Sequence, residues 1–362
     1  MKKIIFLLAA LSATLTLSAQ KMRYVDAAEL NVIGKPIPTS KPFARIDTSK
    51  FDFPTATITR YANYSTGLAI AFTTDSKVIS AKWETSPANA GNNMTAISQK
   101  GLDLYIKLDG EWVFAGVGRP DMKKAPYDQH KWIIVEDMEP GVKECLLYLP
   151  LFDYVNSLEI GVEEGASIAA MENPFKYKII VKGSSVTHGA SATSPGKTYA
   201  ARFGRDNGFY CCNVGFSGSS KLQKEYAEYL AAIEDVDAFI FDTFSNPSAE
   251  EIHARFDEFV DIVRAAHPEV PMIFMQTERR ETRNFSTKIE AFEVAKQKAA
   301  EDEVKERMKT DKHIYFIDSE GFLGYDHLGT ADGTHPSDLG FTRMLEVISP
   351  KILKIFKKYG IR

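Results

Sequence analysis

The hydrophobic pattern of this 362-residue chain changes rhythm once, and that change constrains the fold more than any other feature. From about Asp47 to Glu164, short β-type runs succeed one another between turn residues, at 56–59, 68–72, 78–83, 102–106, 112–114, 132–135, 145–149 and 157–162. Asp109-Gly110, just before Trp112, is a hairpin turn, because a two-residue type I′ turn needs positive φ at both central positions. No amphipathic helix interrupts the series, so this half reads as an all-β sandwich, jelly-roll-like in its spacing. From about Lys176 the apolar runs at 178–181, 209–214, 238–242, 272–275 and 313–317 alternate with helical segments. Ser248-x-x-Glu251 is a capping box, followed on one helical face by Ile252, Phe256, Phe259 and Val263. Thr287-x-x-Glu290 reads as a second box, and 339–359 as a last helix bent or broken at Pro350. Strands alternating with helices give a parallel α/β sheet covered on both faces.

Ahead of both halves, Lys2 and Lys3 precede an apolar stretch from Ile4 to Leu17, and Ser18-Ala19 supplies small residues. This is the pattern of a secretory signal peptide cleaved after Ala19; the alternative is an uncleaved anchor, for which the stretch is short. No Cys follows it to carry a lipid. The organisation expected is therefore a signal peptide at 1–19, a β-sandwich at 20–173 and an α/β domain at 174–362, with the boundary at Asn173-Pro174. Cleavage takes 2 of the 44 basic residues and leaves 42 against 48 acidic ones, a net charge of −6. A dedicated nucleic-acid binder would carry the opposite balance. Cys145, Cys211 and Cys212 form no C-x-x-C pair and read as buried thiols in strands.

Open parallel sheets gather their sites at the carboxyl ends of the strands. Those ends carry Gly183-Ser184-Ser185, Gly215-Phe216-Ser217-Gly218, Asp242-Thr243-Phe244-Ser245-Asn246 and, near the end of the chain, Asp332-Gly333-Thr334-His335. Ser185 on a strand-to-helix turn is the candidate nucleophile, which needs a base to react at neutral pH. His335 is that base, and Asp332, three residues before it, can hold the imidazole in the tautomer that takes the Ser185 proton. The N–H groups of Ser185 and Gly218 and the Asn246 amide are candidate donors to an acyl oxyanion. Each segment alone is commonly a turn or cap; together they point to nucleophilic acyl chemistry.

Two other readings compete. Gly196-Lys197-Thr198, with Phe239-Ile240-Phe241-Asp242 after it, suggests a nucleotide-binding P-loop, but the motif needs Gly at the position of Ser191, and Gly189 lies two residues too early. A catalytically dead, carbohydrate-binding scaffold would use Trp83, Trp112 and Trp132, all in the β-rich half, although sandwich core is the plainer assignment for them. The charges between Lys288 and Lys312 read as a solvated helix face. Arg279-Arg280 offers contact to an anionic substrate, with surface exposure the default. Gly-x-Ser-x-Gly does not occur at Ser185 or Ser217, and His-Glu-x-x-His does not occur.

The strand-end segments resemble the blocks of the SGNH (GDSL-type) hydrolase superfamily over most of 176–362. Ser185, Gly218, Asn246 and the Asp332/His335 pair fall on that family's block positions. Gly101-Leu102-Asp103-Leu104-Tyr105 resembles the Gly-x-Asp-Leu-Tyr signature of a β-rich domain that precedes such domains in bacterial secreted esterases. Ser184 stands where the family has Asp, and Asp242-Thr-Phe-Ser-Asn246-Pro replaces its Gly-x-Asn-Asp. The resemblance implies a flavodoxin-like parallel sheet and a secreted or periplasmic serine esterase. It further implies no metal or cofactor, a small-molecule or glycan ester as substrate, often an acetyl ester, and no nucleic-acid partner or membrane span after signal cleavage.

Overall fold

A computed structural model describes residues 21–362 apart from 90 and 124. The signal-peptide reading lies outside the described residues. The antiparallel half comprises β1 (Met22–Asp26), β2 (Asn31–Ile33), α1 (Ala56–Ala62), β3 (Ala69–Thr74), β4 (Ile79–Glu84), α2 (Ala96–Lys100), β5 (Leu102–Leu108), β6 (Glu111–Gly118), β7 (Gln129–Val135), β8 (Lys143–Tyr148), β9 (Ser157–Glu163) and β10 (Ile168–Ala170). One sheet runs β1-β9-β4-β7, the other β10-β3-β8-β5-β6 with β2 also on β3. Phe72, Trp83, Leu102, Leu104, Leu147 and Ile160 fill the space between them. The Asp109-Gly110 hairpin joins β5 to β6, with φ of 50° and 89°.

Strand pairing begins before residue 47, at β1, and two helices interrupt it. The run at 56–59 is helical: Thr55 accepts the Ile58 N–H at 3.3 Å as N-cap, and Ile58 and Ala62, one helical turn apart, bury together against the other half. The β-branched residues there favoured a strand, and tertiary burial overrode them. Thr95 caps α2 in the same way. Trp83 is core, but Trp112 is half-buried beside Phe175 and Trp132 is exposed.

The second half contains β11 (Lys176–Gly183), α3 (Ser185–His188), α4 (Tyr199–Asn207), β12 (Phe209–Gly215), α5 (Lys224–Ala231), β13 (Ala238–Asp242), α6 (Ala249–Ala266), β14 (Met272–Met275), α7 (Thr287–Arg307), β15 (Ile314–Ile317) and α8 (Asp338–Phe356). The five strands are parallel in the order β12-β11-β13-β14-β15. Counted within this half, that is the flavodoxin-like order 2-1-3-4-5, whose ligand crevice opens between the first and third strands. Ile179, Ile180 and Val181 of β11 are fully buried, as a strand covered on both faces requires. The Ser248/Glu251 capping box opens α6. Thr287-x-x-Glu290 is not a box: Ser286 caps α7, and Glu290 turns back to Arg283 at 2.6 Å. Nor does Pro350 break α8, since Met344 and Ile348 before it and Ile352 and Phe356 after it all pack on the sheet. Glu293 and Lys296 of α7 are buried rather than solvated.

The halves share an extensive seam. Strand alternation sends Leu102 and Leu104 into the sandwich and Asp103 and Tyr105 out of its other face. There the Asp103 carboxylate accepts the Ser194 hydroxyl at 2.6 Å and the Gly196 N–H at 2.9 Å. The Arg205 guanidinium lies 3.9 Å from the centre of the Tyr105 ring. Burial pushes the Asp103 carboxyl up to about 6, against the downward pull of those two hydrogen bonds.

Candidate active site

β11 ends on Gly183, and the chain turns at once into α3. Ser184 caps that turn, its hydroxyl accepting the Val186 N–H at 3.2 Å and donating to Asp242 at 3.1 Å. This accounts for the departure at 184. Thr187 also donates to the buried Asp242 carboxylate, at 2.9 Å, so an aspartate at 184 would place a second carboxylate against it. Ser185 is only 5% exposed.

The hydroxyl of Ser185 lies 2.9 Å from His335 Nε2, and His335 Nδ1 lies 2.8 Å from Asp332 Oδ2. The carboxylate can only accept, so Nδ1 carries the ring proton and Nε2 is left to take the serine's. Asp332 Oδ1 also accepts the N–H groups of His335 at 2.8 Å and Thr334 at 3.0 Å. Asn93 of the β-rich half donates to Oδ2 at 3.2 Å. Burial raises the Asp332 carboxyl, but these hydrogen bonds outweigh it and hold the group well below the usual carboxylate range.

The other predicted positions converge on the same sheet edge. The Phe216 N–H donates to Gly183 O at 2.8 Å, which lays the Gly218 loop beside the serine turn. Gly215 is required at this junction, because a Cβ would stand 2.3 Å from the His188 nitrogen. Gly218 itself has φ +66° and open space where a Cβ would be. Asn246 Oδ1 accepts the Ser220 N–H at 3.2 Å, which turns its NH₂ away from that bond. Ser245 just before it is clamped through its carbonyl by Arg280 at 2.9 Å and Lys296 at 3.3 Å. Arg280 is thus not a surface residue; it pairs with the buried Glu293 at 3.2 Å. The Gly196-Lys197-Thr198 loop holds no vacant anion cradle. Asp103 occupies the Gly196 N–H, and Lys197 pairs with Asp338 at 3.2 Å.

Sequence reasoning did not pick out Asn93, His188 or Lys296 as parts of this region, and it offered Arg280 as a substrate contact rather than as the clamp on Ser245 that it forms. Among the described residues no group of His, Cys, Asp and Glu side chains is placed to hold a metal ion, and no helix is long and apolar enough to cross a membrane.

A serine, an imidazole and a carboxylate in hydrogen-bond sequence at the crevice of a 2-1-3-4-5 parallel sheet is the layout of an SGNH-type hydrolase. A family model described as the GDSL-like lipase/acylhydrolase family matches residues 176–353, and one described as the N-terminus of Esterase_SGNH_hydro-type matches 22–168. A crystal structure described as that of a GDSL-like lipase from Bacteroides ovatus is 47% identical, with a TM-score of 0.90 over 93% of this chain and 98% of that one. The chain belongs to the GDSL-like lipase/acylhydrolase family and is an ester hydrolase of SGNH type. More distant structures share the fold. The salicylyl-acyltransferase SsfX3 of a tetracycline biosynthetic pathway is 19% identical, with a TM-score of 0.71 over 92% of this chain and 97% of that one. A family two carbohydrate esterase from Cellvibrio japonicus is 12% identical, with a TM-score of 0.59 over 93% and 99%. A comparison with proteins of curated function gave no match.

Proposed function

We propose that the chain is an exported serine esterase that removes short acyl groups, acetyl first, from carbohydrates. The observation that carries the mechanism is the unbroken contact from Ser185 through His335 to Asp332, at 2.9 and 2.8 Å. Ser185 Oγ attacks the ester carbonyl carbon while His335 Nε2 takes its proton. Asp332 stabilises the imidazolium that forms. Negative charge on the carbonyl oxygen meets the N–H groups of Ser185 and Gly218 and the Asn246 amide. The ester C–O bond then breaks, His335 returns the proton to the departing alcohol, and an acyl-serine remains. Water, deprotonated by His335, attacks that acyl group, releasing the carboxylic acid and restoring Ser185.

The glycan preference is supported by the carbohydrate esterase from Cellvibrio japonicus, whose fold spans both halves of this chain, and by the exposed indole of Trp132 on the β-rich half. Export rests on residues 1–19, and a secreted product beginning at Gln20 is its signature by mass spectrometry. Hydrolysis of p-nitrophenyl acetate by the wild type and by Ser185→Ala tests the mechanism, with the variant expected to fall by about 10³-fold or more. Equal rates would end it. Acetate release from acetylated oligosaccharides, set against a series of longer p-nitrophenyl acyl chains, tests the substrate class. Glycan binding without Ser185-dependent turnover would favour a scaffold instead.

A further inference from the structure

His188 ends α3, three residues beyond the serine, and the mechanism above gives it no task. Its side chain is fully buried. Nδ1 accepts the Ser217 N–H at 3.2 Å. That assigns the ring proton to Nε2, which donates to the Leu151 carbonyl at 2.9 Å. The ring stacks on Phe152, centroids 3.9 Å apart and planes 12° from parallel, and Tyr61 meets it edge-on at 5.2 Å. Leu151, Phe152 and Tyr61 all belong to the β-rich half. One imidazole therefore touches the serine's own helix, the loop that carries Gly218, and the sandwich. Burial, with the Arg45 charge adding to it, disfavours the protonated ring. A proton on Nδ1 would also face the Ser217 N–H, so the ring is neutral and its tautomer fixed.

We propose that His188 is a positioning residue for the oxyanion loop: its Nδ1 lone pair fixes the Ser217 peptide and thereby aims the adjoining Gly218 N–H at the reacting carbonyl. The inference rests on the serine-esterase reading. The loop's other anchors lie on either side of the Ser217–Gly218 step. Before it the Phe216 N–H donates to Gly183; after it the Ser219 N–H folds back on Phe216 O at 3.1 Å and Ser220 is held by Asn246 and Lys182. Gly218 between them is left-handed, a conformation that glycine adopts without steric cost, and a Cβ added there would meet nothing within 4 Å. An acceptor at the Ser217 N–H holds the step itself.

The two ring nitrogens can be separated by substitution. In His188→Asn the side-chain amide reaches where Nδ1 was and keeps the Ser217 acceptor, but loses Leu151. In His188→Gln the amide reaches where Nε2 was and keeps Leu151, but loses Ser217. His188→Leu loses both. On p-nitrophenyl acetate, His188→Gln and His188→Leu are expected to lose about 30- to 100-fold in kcat with KM changed less than about threefold, a smaller loss than deleting an oxyanion donor outright. His188→Asn should stay within about fivefold of wild-type kcat on the same reasoning, while its Tm falls at least as far as that of His188→Gln. If His188→Leu does not fold, the Asn/Gln pair still decides. Wild-type kcat in His188→Gln, or equal losses in His188→Asn and His188→Gln, would overturn the proposal and leave His188 a packing residue. Ser185→Ala run alongside separates the failures: if it is as active as wild type, the serine mechanism itself is wrong.

Discussion

Asp103→Asn isolates the cost of burying a carboxylate in the seam between the halves. Asp103 is fully buried, with Oδ2 shared by Ser194 and Gly196 and Oδ1 without a hydrogen-bond partner among the described residues. Burial raises its pKa from 3.8 to about 6. A shift of about 2 pH units corresponds to about 3 kcal/mol. The sign follows from where the proton is held more tightly. The folded pKa lies above the unfolded one, so the contribution to stability is full below about pH 3.8, is lost as pH climbs to about 6, and is flat beyond that. Asparagine offers an oxygen to the same two donors and cannot ionise. Between pH 4 and pH 7.5 the wild type should therefore lose about 2–3 kcal/mol relative to Asp103→Asn. Urea unfolding followed by tryptophan fluorescence reads this well, since Trp83 is in the sandwich core. Taking the difference between the two proteins at each pH cancels every other titrating group. A difference independent of pH, or one growing in the opposite direction, would refute the assignment of a buried, proton-retaining carboxyl at this joint.

Asp332→Asn should lower kcat by about 10³-fold or more with a modest change in KM, because the amide can donate to Nδ1 and favour the wrong tautomer; a loss under tenfold on p-nitrophenyl acetate would remove Asp332 from the relay. Asn93→Ala takes one of several hydrogen bonds from a partly exposed carboxylate, so kcat should fall about two- to fivefold. A loss as large as that of Asp332→Asn would mean that Asn93 does more than steady the acid. Burial pushes both Cys145 and Cys212 up to about 12, and burial with the neighbouring Cys212 raises the half-buried Cys211 well above its ordinary value. Native protein at pH 8 should therefore react with a disulfide reagent only on the timescale of unfolding, and rapid labelling of any thiol would contradict that.

What the sequence made legible follows from how local each signal is. The parallel half could be read because each strand–helix unit carries its own period, cap and flanking turn. The four strand-end segments could be read because a parallel sheet fixes which end of every strand faces the site. The helix at Ala56–Ala62 could not, because its Thr-Ile-Thr composition favours a strand and the burial that decides it lies on a sheet more than a hundred residues away. The helix runs unbroken through Pro350 for a related reason: the intrinsic cost of about 3 kcal/mol is offset by apolar contacts on both sides of it. Asn93 had no readable signal, being a loop amide whose partner is Asp332. His188 stood in plain view within the serine segment, but nothing local says that both its nitrogens are spoken for.

The helix at Ala56–Ala62, Asn93 and His188 share a cause: each depends on contact between the two halves. The two family models meet between residues 168 and 176, but the chemistry does not divide there. The parallel sheet's core includes Ile46, Ile58 and Ala62 from before that point. Fully buried Arg45, also from the first half, donates to Asn213 O at 3.3 Å beneath the Gly218 loop and lies 4.7 Å from the Phe216 ring centre. Asp332 takes a donor from Asn93, and Leu151 takes one from His188. The Gly-x-Asp-Leu-Tyr signature makes physical sense in this setting. Its alternation commits Leu102 and Leu104 to the sandwich and Asp103 and Tyr105 to the hydrolase. An α/β half cut free at residue 173 would expose the Tyr210 face, leave the Gly196 N–H without its acceptor and strip the serine helix of its stacking partner Phe152. The sandwich is therefore better understood as one wall of the site than as a module carried beside it.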